Sequence, residues 1–367
     1  MRILLLSDIN SPHTQKWAVG LADAGIQVGV FSFHKQTEEW NRHYNNIDVY
    51  NEKVVGEGTA QQGLLAKFSY LKSRGYLMRV IRNFKPDVVH AHYASSYGLL
   101  GALSGFRPYF ISAWGSDLMR FPNGMLQRAM LKFNLGRATW LFATSRTLHD
   151  ALLQLGFPST IIPFGVDTDM FSPQRSIALY GADEIVIGTV KSLQPLYRID
   201  WIVKAFAHIQ KQRPALPLRL MIVGGGSLET ELKQIARLLC KNNTYHFTGR
   251  VDSASIPAMH QQLDIFVHTS LRESFGVSTL EASACGKAVV ACQSGGAEEV
   301  AVHFETALLF AEDDFDGLTT HLLKLVDDEA LRKKLGEAGR QFVCENFDWN
   351  RSVQQMIAAY QTALNRK

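Results

Sequence analysis

Short apolar segments alternate with segments of helical period through the first half of the chain. Between the apolar segments, residues 14–24 and 124–135 repeat apolar side chains at the three-to-four-residue spacing of a helix. Strands that are apolar on both faces and separated by helices predict a parallel sheet covered on two sides, and hence an α/β class. The apolar segments span residues 3–8, 27–33, 87–92, 109–114, 140–144 and 160–163.

A second series of the same kind follows a segment rich in Pro, Gly and Asp at residues 163–173. We therefore predict an N-terminal domain over residues 1–170 and a C-terminal domain over 171–348. The final amphipathic helix, residues 349–367, either closes the second domain or crosses back to the first. The apolar segments of the second series span residues 185–191, 219–224, 244–248, 265–269, 288–292 and 307–310, and helical patterns cover 200–210, 228–239 and 318–325.

The carboxyl ends of the predicted strands indicate where a ligand binds. In open parallel sheets ligands lie beyond these ends. For the first domain this edge comprises residues 7–13, 90–95, 114–117 and 144–146.

Composition and cysteine use narrow the class of protein. The N-terminal apolar run is short and meets Asp8 at once, unlike a signal peptide. No apolar stretch has the length of a membrane span. The four cysteines contain no Cys-x-x-Cys pair, which disfavours zinc and disulfides. We predict a cytosolic protein.

Positive charge is concentrated in the first half, where residues 1–175 hold 18 Lys and Arg against 12 Asp and Glu. This charge marks either solvated helix faces or a surface that docks on anionic lipid head groups at the inner face of a membrane. No nucleic-acid-binding motif accompanies it, so we expect no nucleic-acid partner. The basic residues form two groups: Lys67, Lys72, Arg74, Arg79, Arg82 and Lys85, then Arg120, Arg128, Lys132 and Arg137.

Two carboxylates, Glu273 and Glu281, stand eight positions apart around a Ser-Phe-Gly turn. If a helix begins near Val277, Glu281 lies on its second turn and Glu273 in the loop before it. The exposed N–H groups at a helix start bind anions. The arrangement suits a diphosphate flanked by two sugars.

The three glycines at residues 224–226 follow a predicted strand and precede a helix. They form either a phosphate-binding loop or a tight strand–helix turn. No Gly-Lys-Ser/Thr follows, which excludes a Walker loop, and no strand-end acid supports a nicotinamide dinucleotide site. Gly295 and Gly296 form a second glycine turn before acidic residues.

The Glu273–Glu281 segment, followed by residues 286–290 and 294–296, resembles the E-x7-E signature of retaining glycosyltransferases of family 4 (GT-4). The resemblance implies the GT-B fold, in which two Rossmann-like α/β/α domains with parallel sheets face each other across a cleft. The second domain would bind a nucleotide sugar and the first an acceptor. Residues 162–171, 187–190, 222–226 and 247–251 are similar to further blocks of that family, in the same order.

The resemblance implies separate duties for the two glutamates. Glu281 would hold the ribose hydroxyls, and Glu273, which we assign as catalytic, the hydroxyls of the transferred sugar. Carboxylates accept hydroxyl hydrogen bonds well. The remaining donor-binding residues implied by the resemblance are Ser274, Phe275, Gly276 and Val277 for the sugar and diphosphate, and Arg250 and Val251 for the nucleobase. Gly224 and Gly225 join the predicted donor site through the phosphate-binding interpretation of their glycine turn.

Two family cations are absent here. The usual arginine and lysine positions are Ser192 and Tyr197. A developing diphosphate requires nearby positive charge, and no acidic metal-binding motif accompanies these residues. We therefore assign that duty to the adjacent Lys191 and Arg198; the alternative is that both are surface charges.

The first domain departs further from the family pattern. The family histidine of a His-Gly-Ser/Thr-Asp segment is replaced by Trp114, whereas Asp117 is retained. We assign Asp117 and His92 to the catalytic group; the alternative is that His90 or His92 is a buried structural histidine. The predicted acceptor-binding residues are Ser11, His13, Thr14 and Trp114.

Taken together, these features predict a retaining, metal-independent hexosyltransferase that needs no cofactor besides its nucleotide diphosphate sugar. The acceptor would be a glycan or a lipid-linked molecule in surface polysaccharide or glycolipid synthesis, and a peripheral position on an anionic membrane is the accompanying hypothesis. Two alternatives stay open: a nucleotide-sugar epimerase of the same fold, and a non-catalytic nucleotide-sugar-binding protein.

Overall fold

The computed structural model describes residues 1–51, 73–119, 124–174 and 178–366. They form two compact units, one made of residues 1–163 with 350–367 and the other of residues 164–349. Each unit contains one sheet whose paired strands all run parallel. The predicted α/β class with parallel sheets is confirmed.

Within the described residues, the sheet of the first unit has seven strands in the order β3-β2-β1-β4-β5-β6-β7. Its central strand β1 pairs with β2 on one side and β4 on the other, with Ile3 opposite Val28 and Val88. The strands are β1 Arg2–Leu6, β2 Gln27–Ser32, β3 Ile47–Asn51, β4 Val88–His92, β5 Tyr109–Ala113, β6 Trp140–Ala143 and β7 Thr160–Ile161.

Helices cover this sheet because its strands are apolar on both faces. Leu4 and Leu6 point into the same core as Phe84 and Leu100, and all four are buried. The helices are α1 Pro12–Asp23, α2 Arg74–Phe84, α3 Ser96–Ser104, α4 Ser116–Met119, α5 Met125–Arg137 and α6 Arg146–Gln154.

The edge strand β3 was not predicted from the pattern. Only Ile47 of its five residues is fully buried, and the others are partly exposed. An edge strand covered on one side lacks the continuous apolar run that identifies a central strand.

The second unit has a six-stranded sheet in the order β10-β9-β8-β11-β12-β13. Its strands are β8 Ile185–Val190, β9 Leu218–Val223, β10 Tyr245–Gly249, β11 Ile265–His268, β12 Ala288–Cys292 and β13 Leu308–Phe310. Its helices are α7 Ile199–Gln212, α8 Glu229–Leu239, α9 Ile256–Gln261, α10 Val277–Ala284, α11 Phe315–Asp327 and α12 Glu329–Asn346, with short 3-10 turns at Pro195–Tyr197, Ser253–Ser255 and Gly295–Glu299.

The last helix, α13 (Trp349–Asn365), belongs to the first unit from Asn350 onward. Its Tyr360 is fully buried and stacks on Phe110 with ring centroids 5.5 Å apart. The Tyr360 hydroxyl lies 2.7 Å from Nδ1 of His90, whose Nε2 lies 2.8 Å from the Ser112 hydroxyl. A buried polar pair thus joins this helix to the first sheet.

Among the described residues, no helix is long and apolar enough to cross a membrane. Of the predicted basic groups, Lys67, Lys72 and Arg120 lie outside the described residues.

We expect Tyr360→Phe to lower the free energy of unfolding by about 1–3 kcal/mol, because it leaves the buried Nδ1 of His90 without its hydroxyl partner. Urea denaturation measures the shift. Tyr245→Phe, at the partly exposed start of β10, is the control and should change it by less than about 0.5 kcal/mol. Equal shifts in the two variants would contradict the structural role of the Tyr360 hydroxyl.

Candidate functional site

The carboxyl edge of the second sheet brings together Lys191 and Glu273. Lys191 follows β8, and Glu273 lies in the loop between β11 and α10. Lys191 Nζ is 2.7 Å from Glu273 Oε2, and the two side chains are only 16% and 12% exposed. Two predicted donor-site residues, 82 positions apart, therefore form a largely buried ion pair.

The surroundings keep Glu273 in its carboxylate form. Burial alone raises the pKa of Glu273, but the charge of Lys191, the neighbouring His268 ring and the hydrogen bonds from Lys191 and from the Ser274 N–H outweigh it, so the pKa lies below its usual value. A charged carboxylate is the form that accepts hydrogen bonds from sugar hydroxyls.

The helix after Glu273 begins at Val277, as the sequence predicts. Gly276 caps it with φ 99°, a left-handed conformation that favours glycine. Phe275 is buried against Phe164 and Phe347, which anchors the turn. The backbone at residues 274–277 is therefore held at a helix start, where anions are stabilised.

The second glycine turn packs directly on this loop. A Cβ on Gly296 would lie 2.4 Å from the Ser274 carbonyl oxygen, and the Gly296 N–H donates to the Glu273 carbonyl at 2.8 Å. Nearby, the hydroxyls of Ser278 and Ser294 are buried and have no hydrogen-bond partner in the described part of the chain. Buried hydroxyls of this kind call for a polar partner, such as a bound ligand or water.

Glu281 projects from the second turn of α10 and is partly exposed. Its Oε2 lies 3.3 Å from Nε2 of His260, a fully buried residue of α9. The two glutamates of the motif thus contact different partners.

The glycines at 224–226 have a structural explanation. A Cβ on Gly224 would lie 2.1 Å from the Lys191 carbonyl oxygen, and one on Gly226 would lie 2.3 Å from the Leu193 carbonyl oxygen. Both glycines let this turn pack against residues 191–193. A Cβ on Gly225 would meet only ordinary contacts near Arg250, so its phosphate-binding role stays a prediction.

Arg198 is engaged elsewhere. Its guanidinium carbon lies 3.4 Å from the Trp201 ring centroid, and Nη1 lies 2.8 Å from Asp313 Oδ1. Lys191, by contrast, lies beside Glu273 and 4.7 Å from the Tyr197 ring centroid. Of the two predicted cations, Lys191 is therefore the one that lies beside Glu273, where the predicted diphosphate would bind. Arg250 is exposed and Val251 partly buried in the segment after β10.

In the first unit, Asp117 joins the loops that follow β4 and β5. Its Oδ2 accepts the Ala94 N–H at 2.7 Å, and its Oδ1 accepts those of Gly115 at 2.9 Å and Trp114 at 3.2 Å. Burial raises the pKa of Asp117, against the lowering effect of these N–H groups. The contacts give Asp117 a loop-organising role, and its catalytic role stays a prediction.

An aromatic cluster surrounds Trp114 at the same edge. The Trp114 ring lies 4.3 Å from that of His92 and 5.9 Å from that of His13. Burial lowers the pKa of His92, helped by the nearby His90 and His13, so the ring is neutral. Its Nδ1 is buried and has no hydrogen-bond partner among the described residues. His90, with both nitrogens bonded, is the structural histidine of the pair.

The predicted acceptor-binding residues near the first βα loop differ in their exposure. Ser11 precedes α1 and is partly exposed, whereas Thr14 is fully buried. The Thr14 hydroxyl lies 2.6 Å from that of Ser7, which gives it a structural partner inside the unit. Acceptor binding by Ser11, His13 and Trp114 stays a prediction, and the burial of Thr14 argues against its contact with an acceptor.

Sequence reasoning overlooked His260 and His268. His268 ends β11 with Nε2 3.8 Å from Glu273 Oε2, and His260 contacts Glu281. The available signal was the position of His268 at a strand end five residues before Glu273. No comparable signal marked His260, since it lies on a different helix from Glu281.

Two family models match this chain in succession. Residues 2–145 match one described as glycosyl transferase 4-like, and residues 173–342 match one described as glycosyl transferases group 1.

Curated relatives cover most of the chain. A D-inositol 3-phosphate glycosyltransferase of Pseudarthrobacter chlorophenolicus is 30% identical over 386 residues, which span 96% of this chain and 90% of that protein. The N-acetyl-alpha-D-glucosaminyl L-malate synthase of Bacillus anthracis is 26% identical over 294 residues, which span 76% of this chain and 75% of that protein.

Solved structures share the fold over the full length. Sucrose-phosphate synthase from Thermosynechococcus elongatus has a TM-score of 0.85 at 20% identity and covers 100% of both chains. The Anabaena protein HepE, in complex with UDP and glucose, has a TM-score of 0.78 at 20% identity and covers 99% of this chain and 100% of its own. The predicted GT-B fold is confirmed.

We expect Lys191→Met to lower the free energy of unfolding at neutral pH by up to about 3 kcal/mol, because it leaves the largely buried Glu273 carboxylate without its ion-pair partner. In the natural protein the pKa of Glu273 is lowered, so its stabilising contribution is present above its ordinary pKa and lost as pH falls. In the variant, burial raises that pKa. The cost of burying an unpaired carboxylate then disappears as the pH falls, because the carboxylate takes up a proton. The difference in the free energy of unfolding between the natural protein and Lys191→Met, measured by urea denaturation, should therefore become smaller from about pH 7 to about pH 4.

Lys204→Met is the matched control. Lys204 pairs with Asp200 one helical turn away, and its side chain is 46% exposed. Its loss should cost less than about 0.5 kcal/mol. A pH-independent gap for Lys191→Met would overturn the assigned ion pair.

Proposed function

The chain belongs to glycosyltransferase family 4, and from this membership we propose that it transfers a hexose-type sugar from a nucleotide diphosphate donor with retention of anomeric configuration. The observation that carries the proposal is the ion pair of Lys191 with Glu273 beside the start of α10. Glu281, one turn further along, completes a set with two carboxylates, one cation and a helix start.

Each part of this set matches one part of a nucleotide diphosphate sugar. The carboxylates suit hydroxyl donors, Glu273 for the transferred sugar and Glu281 for the ribose. The helix start and Lys191 suit the diphosphate, where negative charge develops as the bond to the sugar breaks. Because Lys191 supplies this charge, we propose that turnover needs no metal ion.

The names of similar proteins support a nucleotide-sugar donor. HepE was solved with UDP and glucose, and a mannosyltransferase of Mycolicibacterium smegmatis, 32% identical over 51% of this chain, is named as GDP-mannose-dependent. We propose that the acceptor is a glycan or a lipid-linked molecule of surface polysaccharide or glycolipid synthesis, contacted by Ser11, His13 and Trp114. Asp117 and His92 would support its reacting hydroxyl.

The test incubates the protein with UDP-glucose, UDP-N-acetylglucosamine and GDP-mannose separately and follows release of nucleotide diphosphate, with and without EDTA. We expect slow hydrolysis of one donor, unaffected by EDTA. Glu273→Gln should lower that rate roughly 100-fold or more while the variant keeps the circular dichroism spectrum of the folded natural protein. Glu231→Gln, on the exposed surface of α8, should leave the rate unchanged.

Other outcomes point to other functions. Interconversion of sugar epimers without nucleotide release would identify an epimerase, and binding without any conversion would identify a non-catalytic binding protein. Near-normal release by Glu273→Gln would refute the assigned site.

We also propose that the first unit docks on an anionic membrane surface at the cytosolic face. Helix α3 contacts both α2 and α5, so the three form one layer. None of the three helices contains an Asp or Glu. Exposed cations are Arg74, Arg79 and Arg82 on α2, and Arg128, Lys132 and Arg137 on α5.

Helix α5 also exposes apolar side chains beside these cations. Met125, Leu126 and Phe133 are 89%, 61% and 40% exposed, and their spacing places them on one side of the helix. An apolar stripe flanked by cations matches a bilayer interface with anionic head groups, each cation contributing about 1 kcal/mol near the surface.

We expect the protein to sediment with vesicles that contain phosphatidylglycerol but not with vesicles of phosphatidylcholine alone, and added salt should weaken the binding. Arg128→Gln with Lys132→Gln, and separately Leu126→Gln with Phe133→Gln, should each reduce the bound fraction severalfold. Lys333→Gln with Lys334→Gln on α12 of the second unit is the charge-matched control. Equal losses in all variants, or no binding by the natural protein, would refute this docking face.

A further inference from the structure

A buried histidine stands behind each glutamate of the proposed donor site. His268 lies 3.8 Å from Glu273 and His260 lies 3.3 Å from Glu281, measured from Nε2 to Oε2 in both cases. The two histidine side chains are 1% and 0% exposed, whereas the glutamates are 12% and 19% exposed. Each glutamate thus has a buried histidine ring on its interior side and keeps a small exposed fraction.

The contacts of His268 define its protonation. Burial lowers the pKa of His268 to about 4, so the ring is neutral at physiological pH. Its Nδ1 lies 3.5 Å from the Thr279 hydroxyl, which can donate to it. The Glu273 carboxylate, 3.8 Å from Nε2, favours the tautomer in which Thr279 donates to Nδ1 and the ring proton resides on Nε2. Nε2 has no hydrogen-bond partner among the described residues, so this donor remains available to the carboxylate.

His260 is held by packing. Its ring lies 6.0 Å from that of Phe171 and 5.6 Å from that of Phe266. Nε2 faces Glu281, and Nδ1 is buried with no hydrogen-bond partner in the described chain. A rigid ring with one nitrogen on a carboxylate fixes where that carboxylate can point.

We propose that His268 and His260 are positioning residues, which hold Glu273 and Glu281 in place for the two sugars of the donor. The inference rests on the proposed function. When a diphosphate binds, Lys191 is shared between it and Glu273, and the hold of Lys191 on that carboxylate weakens. His268, which bears no charge to attract the diphosphate, then presents its Nε2 donor to Glu273 and keeps that carboxylate oriented.

The two histidines therefore act on different kinetic constants. Glu273 would contact the transferred sugar, where bonding changes, so His268 influences kcat. Glu281 would contact the ribose, which does not react, so His260 influences the KM for the donor. A merely structural role would instead lower stability without separating the two constants.

The first test compares His268→Leu, which removes the donor, with His268→Gln, whose side-chain amide can replace it. We expect His268→Leu to lower kcat roughly tenfold or more and His268→Gln to restore most of it. Because the carboxylate loses the pKa-lowering influence of His268, the acid limb of the kcat profile should move to higher pH in His268→Leu.

The second test compares His260→Phe, which keeps the aromatic packing, with His260→Gln. His260→Phe should raise the donor KM roughly tenfold with a smaller change in kcat, and His260→Gln should reverse part of this. His321→Leu is the control, because this partly buried histidine of the same unit bonds the Leu309 carbonyl instead of either glutamate.

Kinetics use whichever of UDP-glucose, UDP-N-acetylglucosamine and GDP-mannose the natural protein converts fastest. If the natural protein converts a donor but His268→Leu and His260→Phe leave kcat and the donor KM unchanged, the inference is overturned and the proposed function stands. If the natural protein converts none of the three, the proposed function fails. The inference is then decided by the Glu273 carboxyl titration in 13C NMR, assigned with Glu273→Gln: its pKa should rise in His268→Leu, and an unchanged pKa would overturn the inference.

Discussion

Every strand of a parallel sheet ends at the same edge, and the chain must leave that edge through a loop each time. In both units this constraint collects polar side chains that would be costly to bury elsewhere. Lys191, His268 and Glu273 share the edge in the second unit, and His92, Trp114 and Asp117 share it in the first. The helices and apolar strands behind each edge hold these side chains in fixed positions.

Partial burial makes the charged group at the second edge dependent on its neighbours. The Glu273 carboxylate is mostly out of water, so it persists as an anion only because Lys191, His268 and the Ser274 N–H compensate the loss of solvation. The same low exposure would strengthen each contact that the carboxylate makes with a donor in the proposed function. Close backbone packing fixes the segments that carry the pair: Gly224 and Gly226 pack on residues 191–193, and Gly296 packs on the loop after Glu273, each at a place where a Cβ would collide with the neighbouring backbone.

The carboxylates at the two edges differ in their partners. Asp117 binds three backbone N–H groups and works mainly within its own loops. Glu281 contacts only a histidine ring among the described residues and lies near a helix start with the unpartnered hydroxyls of Ser278 and Ser294. These carboxylate and hydroxyl groups agree with the role proposed for the second unit as the donor-binding unit.

The sequence alone determined the parallel α/β architecture, the residues at the carboxyl edges of its sheets and the start of the helix at Val277, because these depend on local periodicity and on the conformations a glycine allows. The sequence did not predict strand β3, because four of its five residues are partly exposed and the segment lacks a continuous apolar run. Only the tertiary structure decided that Lys191 pairs with Glu273 while Arg198 pairs with Asp313, that His260 and His268 stand behind the glutamates, and that Tyr360 joins the last helix to the first sheet. These contacts join residues far apart in the chain, and the packing of whole elements, which local pattern does not encode, sets which of them meet.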